Sequence, residues 1–167
     1  IHRRQGAVLV VEAELGAVGG SEGGELIGNV NPAKYTDIDE AIQFVQQTGI
    51  DALAVAIGNS HGAYKGTPQL DFELLEGIHQ KTGVPLVLHG GSGLSEHDFK
   101  KAIALGIAKI NFFTGMSQVA LQTTNNFMQG EMGKYNDYLN LMQTVKNRVS
   151  RCVSEQIHIF GSNGKAN

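Results

Sequence analysis

At 167 residues, 41% of them apolar and 17% charged, the chain is long enough for one domain with a real core. A formal net charge of −3 gives no reason to expect nucleic acid or an anionic membrane as partner. No apolar run approaches the ~20 residues of a membrane span. The single cysteine, Cys152, excludes an internal disulfide, fits a reducing cytoplasm, and sits in a helical apolar stripe as core filler.

The chain opens at Ile1 with a stretch that resembles the tail of a helix, so it reads as a fragment. Ala7 to Glu14 has the composition of a first strand. The following loop, Leu15 to Pro32, is glycine-rich and carries Glu22 and Glu25; loops of that length are usually lids or binding loops. Thr36 with Asp39 forms a capping-box pattern, and Ile38, Ala41, Ile42 and Val45 make one helical stripe that Gly49 ends. Ala52 to Ile57 predicts a second strand, followed by a loop that holds His61. Leu70, Leu74, Leu75 and Ile78 mark a helix that stops at Gly83. Val84, Leu86, Val87 and Leu88 predict a third strand running into His89 and the loop Gly90-Gly91-Ser92-Gly93. Ser95 with Asp98 caps a helix carrying Phe99, Ala102 and Ile103. Ile107 to Phe113 predicts a fourth strand. From Met116 onward the patterns are helical, the longest running from Tyr138 to Phe160 and stopping at Gly161.

Strand and helix alternate four times, which predicts an α/β fold of parallel strands with right-handed crossovers. Half of a (β/α)8 TIM barrel is the first reading, and an open doubly wound sheet is the second. Gly90-Gly-Ser-Gly93 lacks the G-x-G-x-x-G spacing of a dinucleotide fingerprint, which argues against a nicotinamide enzyme.

His61 and His89 follow consecutive strands, so both fall on one rim of the sheet, where α/β folds carry their sites. Two neutral imidazoles there suit zinc or another borderline divalent ion. The glycine-rich loop beyond His89 exposes backbone N–H groups that suit a phosphate. Glu14 ends the first strand on the same rim. His2, His79, His97 and His158 fall on helices or at the terminus, where solvated or capping roles are expected.

Four motifs, in order, carry a family resemblance: Val11-Glu-Ala-Glu14-Leu-Gly, Gly58-Asn-Ser-His61-Gly-Ala-Tyr-Lys65, Leu88-His89-Gly-Gly-Ser-Gly93 and Lys109-Ile-Asn111. Together they resemble the class II, metal-dependent ketose-bisphosphate aldolases of the fructose- or tagatose-bisphosphate type. The resemblance covers the second half of that family's barrel, so residues 1–167 are expected to be one incomplete domain with C-terminal helices. It implies reversible cleavage of a ketose 1,6-bisphosphate to dihydroxyacetone phosphate and an aldehyde, with a divalent ion stabilising the enediolate. It further implies Zn²⁺ or another divalent metal held by His61 and His89, with Glu14 at an alternate position, and a monovalent cation nearby. The third ligand would be a histidine preceded by an aspartate; no Asp-His pair occurs here. By the same resemblance Glu22 is the mobile-loop acid–base residue. Gly62, Gly90, Gly91, Ser92, Asn111, Phe112, Phe113 and Thr114 would meet the phosphorylated substrate, the last four from the fourth strand. Many relatives carry an acidic residue within the run after the asparagine, whereas here the run is Phe112-Phe113-Thr114-Gly115. A cytoplasmic homo-oligomer, dimer or tetramer, is the assembly implied.

Two other readings stand beside this one: a metal- and phosphate-binding half-barrel with no turnover of its own, and a Schiff-base aldolase using Lys109. Side-chain alternation places Lys109 on the same face as Asn111 and, on the first strand, Glu12 below Glu14. Ala52, Ala54 and Ala56 leave room between them, so Lys109 is expected to stay protonated against Glu12. Lys65 reads as an exposed loop lysine.

Overall fold

The computed structural model describes residues 10–20, 34–62, 64, 66–130 and 137–165. Glu22, Glu25, Lys65, His2 and the start of the first expected strand lie outside them. The elements are β1 (Glu12–Leu15), β2 (Gly19–Gly20), α1 (Ile38–Thr48), β3 (Ala52–Val55), β4 (Ser60–His61), α2 (Phe72–Thr82), β5 (Leu86–Leu88), α3 (Glu96–Ala104), β6 (Ile107–Ile110), α4 (Thr114–Met128) and α5 (Tyr138–Ile159).

One four-stranded sheet has the order β1-β3-β5-β6, with every neighbouring pair parallel. The order follows the chain without reversal. A doubly wound sheet reverses its strand order at a switch point and a barrel does not, so the observed order favours the barrel.

Alternation along each strand separates two faces. Leu53, Val55, Ile57, Leu86 and Leu88 are fully buried and pack with Ala41 of α1, Leu75 and Ile78 of α2, and Phe99 and Ala102 of α3. Each large side chain buried in this way stabilises the fold by about 1.5–3 kcal/mol over leaving it in water. On the other face Glu12 and Glu14 stand in register with Ala52 and Ala54, Ala54 with Val87, and Val87 with Lys109. Lys109 Nζ lies 2.9 Å from Glu12 Oε2, although β1 and β6 are the two edges of the sheet. Three strand spacings would part those edges by about 14 Å if the sheet were flat. Side chains that stand off the sheet meet across that gap most readily where the face is concave, as the inside of a barrel is. The ion pair expected between Lys109 and Glu12 is present, and the small alanines between them make the space.

Local chemistry explains most helix ends. Asp71 and Asp137 accept the N3 amides of α2 and α5, and Ser95 with Asp98 makes the expected capping box on α3. The cap of α1 corrects the sequence reading: Asp37, not Thr36, accepts from Glu40 N. Thr36 is buried instead, donating through Oγ1 to Leu15 O and accepting from Ala56 N, so it ties the end of β1 to the end of β3. The long loop after β1 is also not wholly irregular, because Gly19–Gly20 pairs in parallel with Ser60–His61.

The fourth strand is shorter than expected. It ends at Ile110, with a register shift that leaves Ala108 without a partner on β5. Helix α4 then begins at Thr114. The long C-terminal stripe is half-buried at most: α5 has no fully buried residue, and Tyr138 and Met142 are exposed. Cys152 is only partly buried, which with the nearby Glu155 charge raises its thiol pKa. Phe160 does reach the core, meeting Phe99 edge to face at 4.9 Å. Among the described residues no helix is long and apolar enough to cross a membrane.

Candidate metal and phosphate site

His89 follows β5 directly, and its ring stands on the concave face. His61 follows β3 through a short turn, as expected, and lies six residues beyond Val55, on the two-residue strand β4 that the sequence did not mark. The sharp turn that brings it back over the rim depends on Asn59, which is fully buried. Asn59 Oδ1 accepts from Ile57 N while Nδ2 donates to Val55 O and to His89 O. One amide thus fixes the backbone of both histidine-bearing segments. Tyr64 joins the same two segments, its hydroxyl accepting from Ser60 N and donating to Gly90 O. Burial raises the Tyr64 phenol above its ordinary value; the Ser60 bond opposes this and the Asp98 charge adds to it. Gly90 has φ 65°, and a Cβ there would lie 2.1 Å from Ser60 O, so only glycine permits this approach of the two loops.

The result is a compact donor group. Glu14, His61 and His89 each offer a ligand atom, and these atoms all lie within 4.8 Å of one another. The two imidazole rings stand 5.8 Å apart, centroid to centroid. His89 Nδ1 is 2.7 Å from Glu14 Oε2, and Nε2 is 3.1 Å from Glu12 Oε1. Two imidazoles and a carboxylate make a donor set that fits zinc or a similar borderline divalent ion. Desolvation pushes the Glu12 carboxyl up, but the hydrogen bonds and charges of Lys109 and His89 outweigh it, so the carboxyl titrates below its ordinary value.

Beside this group lies a cavity of about 280 Å³, lined by Gly62, Tyr64, Ser92, Gly93, Thr114 and Gln118 among others. The N-terminus of α4 opens into it. Phe113, at the N-cap, supplies no side-chain acceptor, and the first turn holds no acidic residue, so the positive end of the helix dipole is left for an anion. Ser92 Oγ accepts from Gly115 N, and Gly91 N donates to Asn111 O, which holds the glycine loop against this helix end.

Of the residues expected at the substrate, Gly62, Ser92 and Thr114 line this cavity, and Gly90 and Gly91 build the loop behind it. Asn111 receives the Lys109 ammonium on Oδ1 at 2.7 Å. Asn111 to Thr114 do not close the site as part of a strand, as the sequence suggested. They form the turn from β6 into α4, and Phe113 is half exposed there (51%). Phe112 lies over the first turn of α4, where a Cβ on Gly115 would strike its ring.

Sequence reasoning gave no role to Asn59, Tyr64 or Gln118. The first two sit inside a motif already singled out; their polar groups beside several glycines were the available signal. His97 and His158 are exposed, as expected, but His79 is half-buried, and its ring fills the space that a side chain on Gly106 would need.

Known proteins agree with this picture. Residues 2–165 match the family model described as fructose-bisphosphate aldolase class-II. The chain is 46% identical over 160 residues to the uncharacterized protein YdjI of Escherichia coli K12. It is 43% identical over 156 residues to a 6-phospho-5-dehydro-2-deoxy-D-gluconate aldolase of Halalkalibacterium halodurans. These alignments take in 95% and 93% of the chain but 54% and 52% of the relatives, so the chain spans about half their length. Among solved structures it superimposes on the YdjI aldolase from E. coli K12 with a TM-score of 0.76 at 42% identity, covering 95% of this chain and 52% of that one. A fructose-1,6-bisphosphate aldolase homologue from Coccidioides immitis gives 0.75 at 32%, covering 94% and 54%. The four parallel strand–helix units thus correspond to about half of an aldolase barrel. The chain belongs to the class II fructose-bisphosphate aldolase family.

Proposed function

We propose that this chain is the second half of a (β/α)8 barrel and carries metal- and phosphate-binding parts of a class II aldolase. The reaction is reversible cleavage of a ketose 1,6-bisphosphate, of fructose or tagatose type, to dihydroxyacetone phosphate and an aldehyde. The observation that carries this reading is the meeting of Glu14, His61 and His89 on one rim of parallel strands, beside the open N-terminus of α4.

His61 and His89 hold a divalent ion, zinc in this reading, and Glu14 supplies a carboxylate at an alternate position. That ion, when bound, acts as a Lewis acid toward the negative charge left when the carbon–carbon bond breaks. The chain's own part is to bind and orient. Backbone amides of Gly62, Gly90 and Ser92, with Gly91 pinned to Asn111 O behind them and Asn111 to Thr114 leading into α4, take one phosphate and so fix the distance from substrate to metal. Glu22 moves the proton at the carbon that carries the charge. The working form is a cytoplasmic homo-oligomer, and the fragment alone is inactive because the remaining ligand and a second acid–base residue lie in the other half.

Release of dihydroxyacetone phosphate by the complete, metal-loaded protein tests the reading. Fructose and tagatose 1,6-bisphosphates are offered beside 6-phospho-5-dehydro-2-deoxygluconate, the compound named for one relative. Cleavage of a ketose bisphosphate is expected. Cleavage of the last compound alone would correct the substrate, and no cleavage of any would contradict the reading. Borohydride added during turnover separates the remaining mechanism: covalent trapping on Lys109 would replace metal chemistry with a Schiff base.

A further inference from the structure

Two charged side chains on the concave face have no part in the chemistry above. Glu12 touches His89 Nε2 at 3.1 Å, and Lys109 touches both Glu12 Oε2 at 2.9 Å and Asn111 Oδ1 at 2.7 Å. The four side chains form an unbroken path from a metal-binding imidazole to the residue that opens the β6–α4 turn. We propose that Glu12 and Lys109 are positioning residues, Glu12 selecting the nitrogen that His89 offers the metal and Lys109 setting which end of the Asn111 amide faces the substrate. The inference rests on the aldolase reading and deepens it.

A neutral imidazole ligates through one nitrogen and carries its proton on the other, so the partner of the second nitrogen decides which one is offered. His89 Nδ1 faces Glu14, a member of the donor group; Nε2 faces Glu12, which stands outside it. A proton on Nε2, donated to Glu12, leaves the Nδ1 lone pair free for the metal. For this to work Glu12 must stay in place. Lys109 holds it there, reaching across the hollow over Ala52 and Ala54 from the opposite edge of the sheet. The same ammonium occupies Asn111 Oδ1, and an ammonium can only donate, so the Asn111 NH₂ group is the end left to face a ligand. One lysine thereby couples the orientation of a metal ligand to that of a substrate ligand.

The test is a Co²⁺ titration of the complete protein, followed by its visible absorption and by chelator competition, with steady-state kinetics alongside. Wild type should bind Co²⁺ and His89→Ala should lose it. Glu12→Ala should bind about 10–100-fold more weakly with the absorption bands kept, because an orienting partner and not a ligand is lost. Glu12→Gln, which still accepts a hydrogen bond, should recover most of that loss. Lys109→Met should raise KM by about 10-fold, more than it lowers kcat, with Lys109→Arg partly restoring it. Glu12→Ala that binds Co²⁺ as tightly as wild type would overturn the inference. So would a Glu12→Gln spectrum showing a changed coordination number, which would make Glu12 a ligand. If wild type binds no more Co²⁺ than His89→Ala, the aldolase reading itself fails and the inference falls with it.

Discussion

The two faces of the four-stranded sheet share the same residues of backbone and differ in almost everything else. Toward the helices stand Leu53, Val55, Ile57, Leu86 and Leu88, all fully buried among α1, α2 and α3. Toward the concave side stand Glu12, Glu14, His89 and Lys109, separated by alanines and joined by ion pairs and hydrogen bonds. A period of two along each strand assigns consecutive residues to opposite tasks. Substitutions at neighbouring positions should therefore divide cleanly between stability and activity.

The largest effect expected belongs to the chemistry. In the complete protein, Glu22→Ala should lower kcat by about 10²–10⁴-fold with little change in substrate affinity, as removal of a proton-transfer group does. Single-turnover kinetics would show it, and an unchanged kcat would leave that loop without a chemical role. On the helix-facing side, Leu88→Ala should cost about 2–5 kcal/mol in urea unfolding through loss of burial and the cavity left behind. Yet Leu88 precedes His89 directly, so the molecules that stay folded should keep wild-type metal affinity. A Leu88→Ala protein that unfolds normally but loses metal would break the division of labour between the faces.

The smallest effect should come from Tyr64, which pins the His61 segment to the glycine loop. Tyr64→Phe removes both bonds and should cost about 1–3 kcal/mol. It should also change the alkaline limb of stability. Because burial raises the folded Tyr64 phenol above the ordinary tyrosine value, its contribution is complete below that ordinary value and is lost as pH rises through the folded pKa. Wild type should lose stability in that window, and the Phe variant should lose less of it. Equal slopes would place Tyr64 in an environment no different from that of the unfolded chain.

Much of this arrangement was legible in the residues. The four strand–helix units and the capping box at Ser95 follow from periodicities and spacings a few residues long, and the Lys109–Glu12 pair from side-chain alternation on two strands once the resemblance had put Asn111 at the site. What escaped was set by partners distant in sequence. Thr36 looked like a helix cap, but its hydroxyl is claimed by Leu15 and Ala56, 21 and 20 residues away. Asn59 bonds the His89 carbonyl 30 residues on, and no local pattern announces that. β6 stops at Ile110, although Asn111 still bonds Leu88 O and Gly91 N through its backbone, whereas Phe112 and Phe113 have strand-like composition and extended the reading by three residues. The two-residue strand β4 is too short for any periodicity to mark.

The claim on which the rest depends is that the rim formed by Glu14, His61 and His89 holds a divalent ion the reaction requires. Aldol cleavage by the complete protein, measured before chelation, after it and after stepwise return of Zn²⁺, tests it most directly, with His89→Ala run in parallel. The account predicts that activity falls to background on chelation and returns with added metal in wild type, and that it does not return in His89→Ala. Activity that survives chelation, or a His89→Ala protein that keeps both metal and turnover, would contradict it.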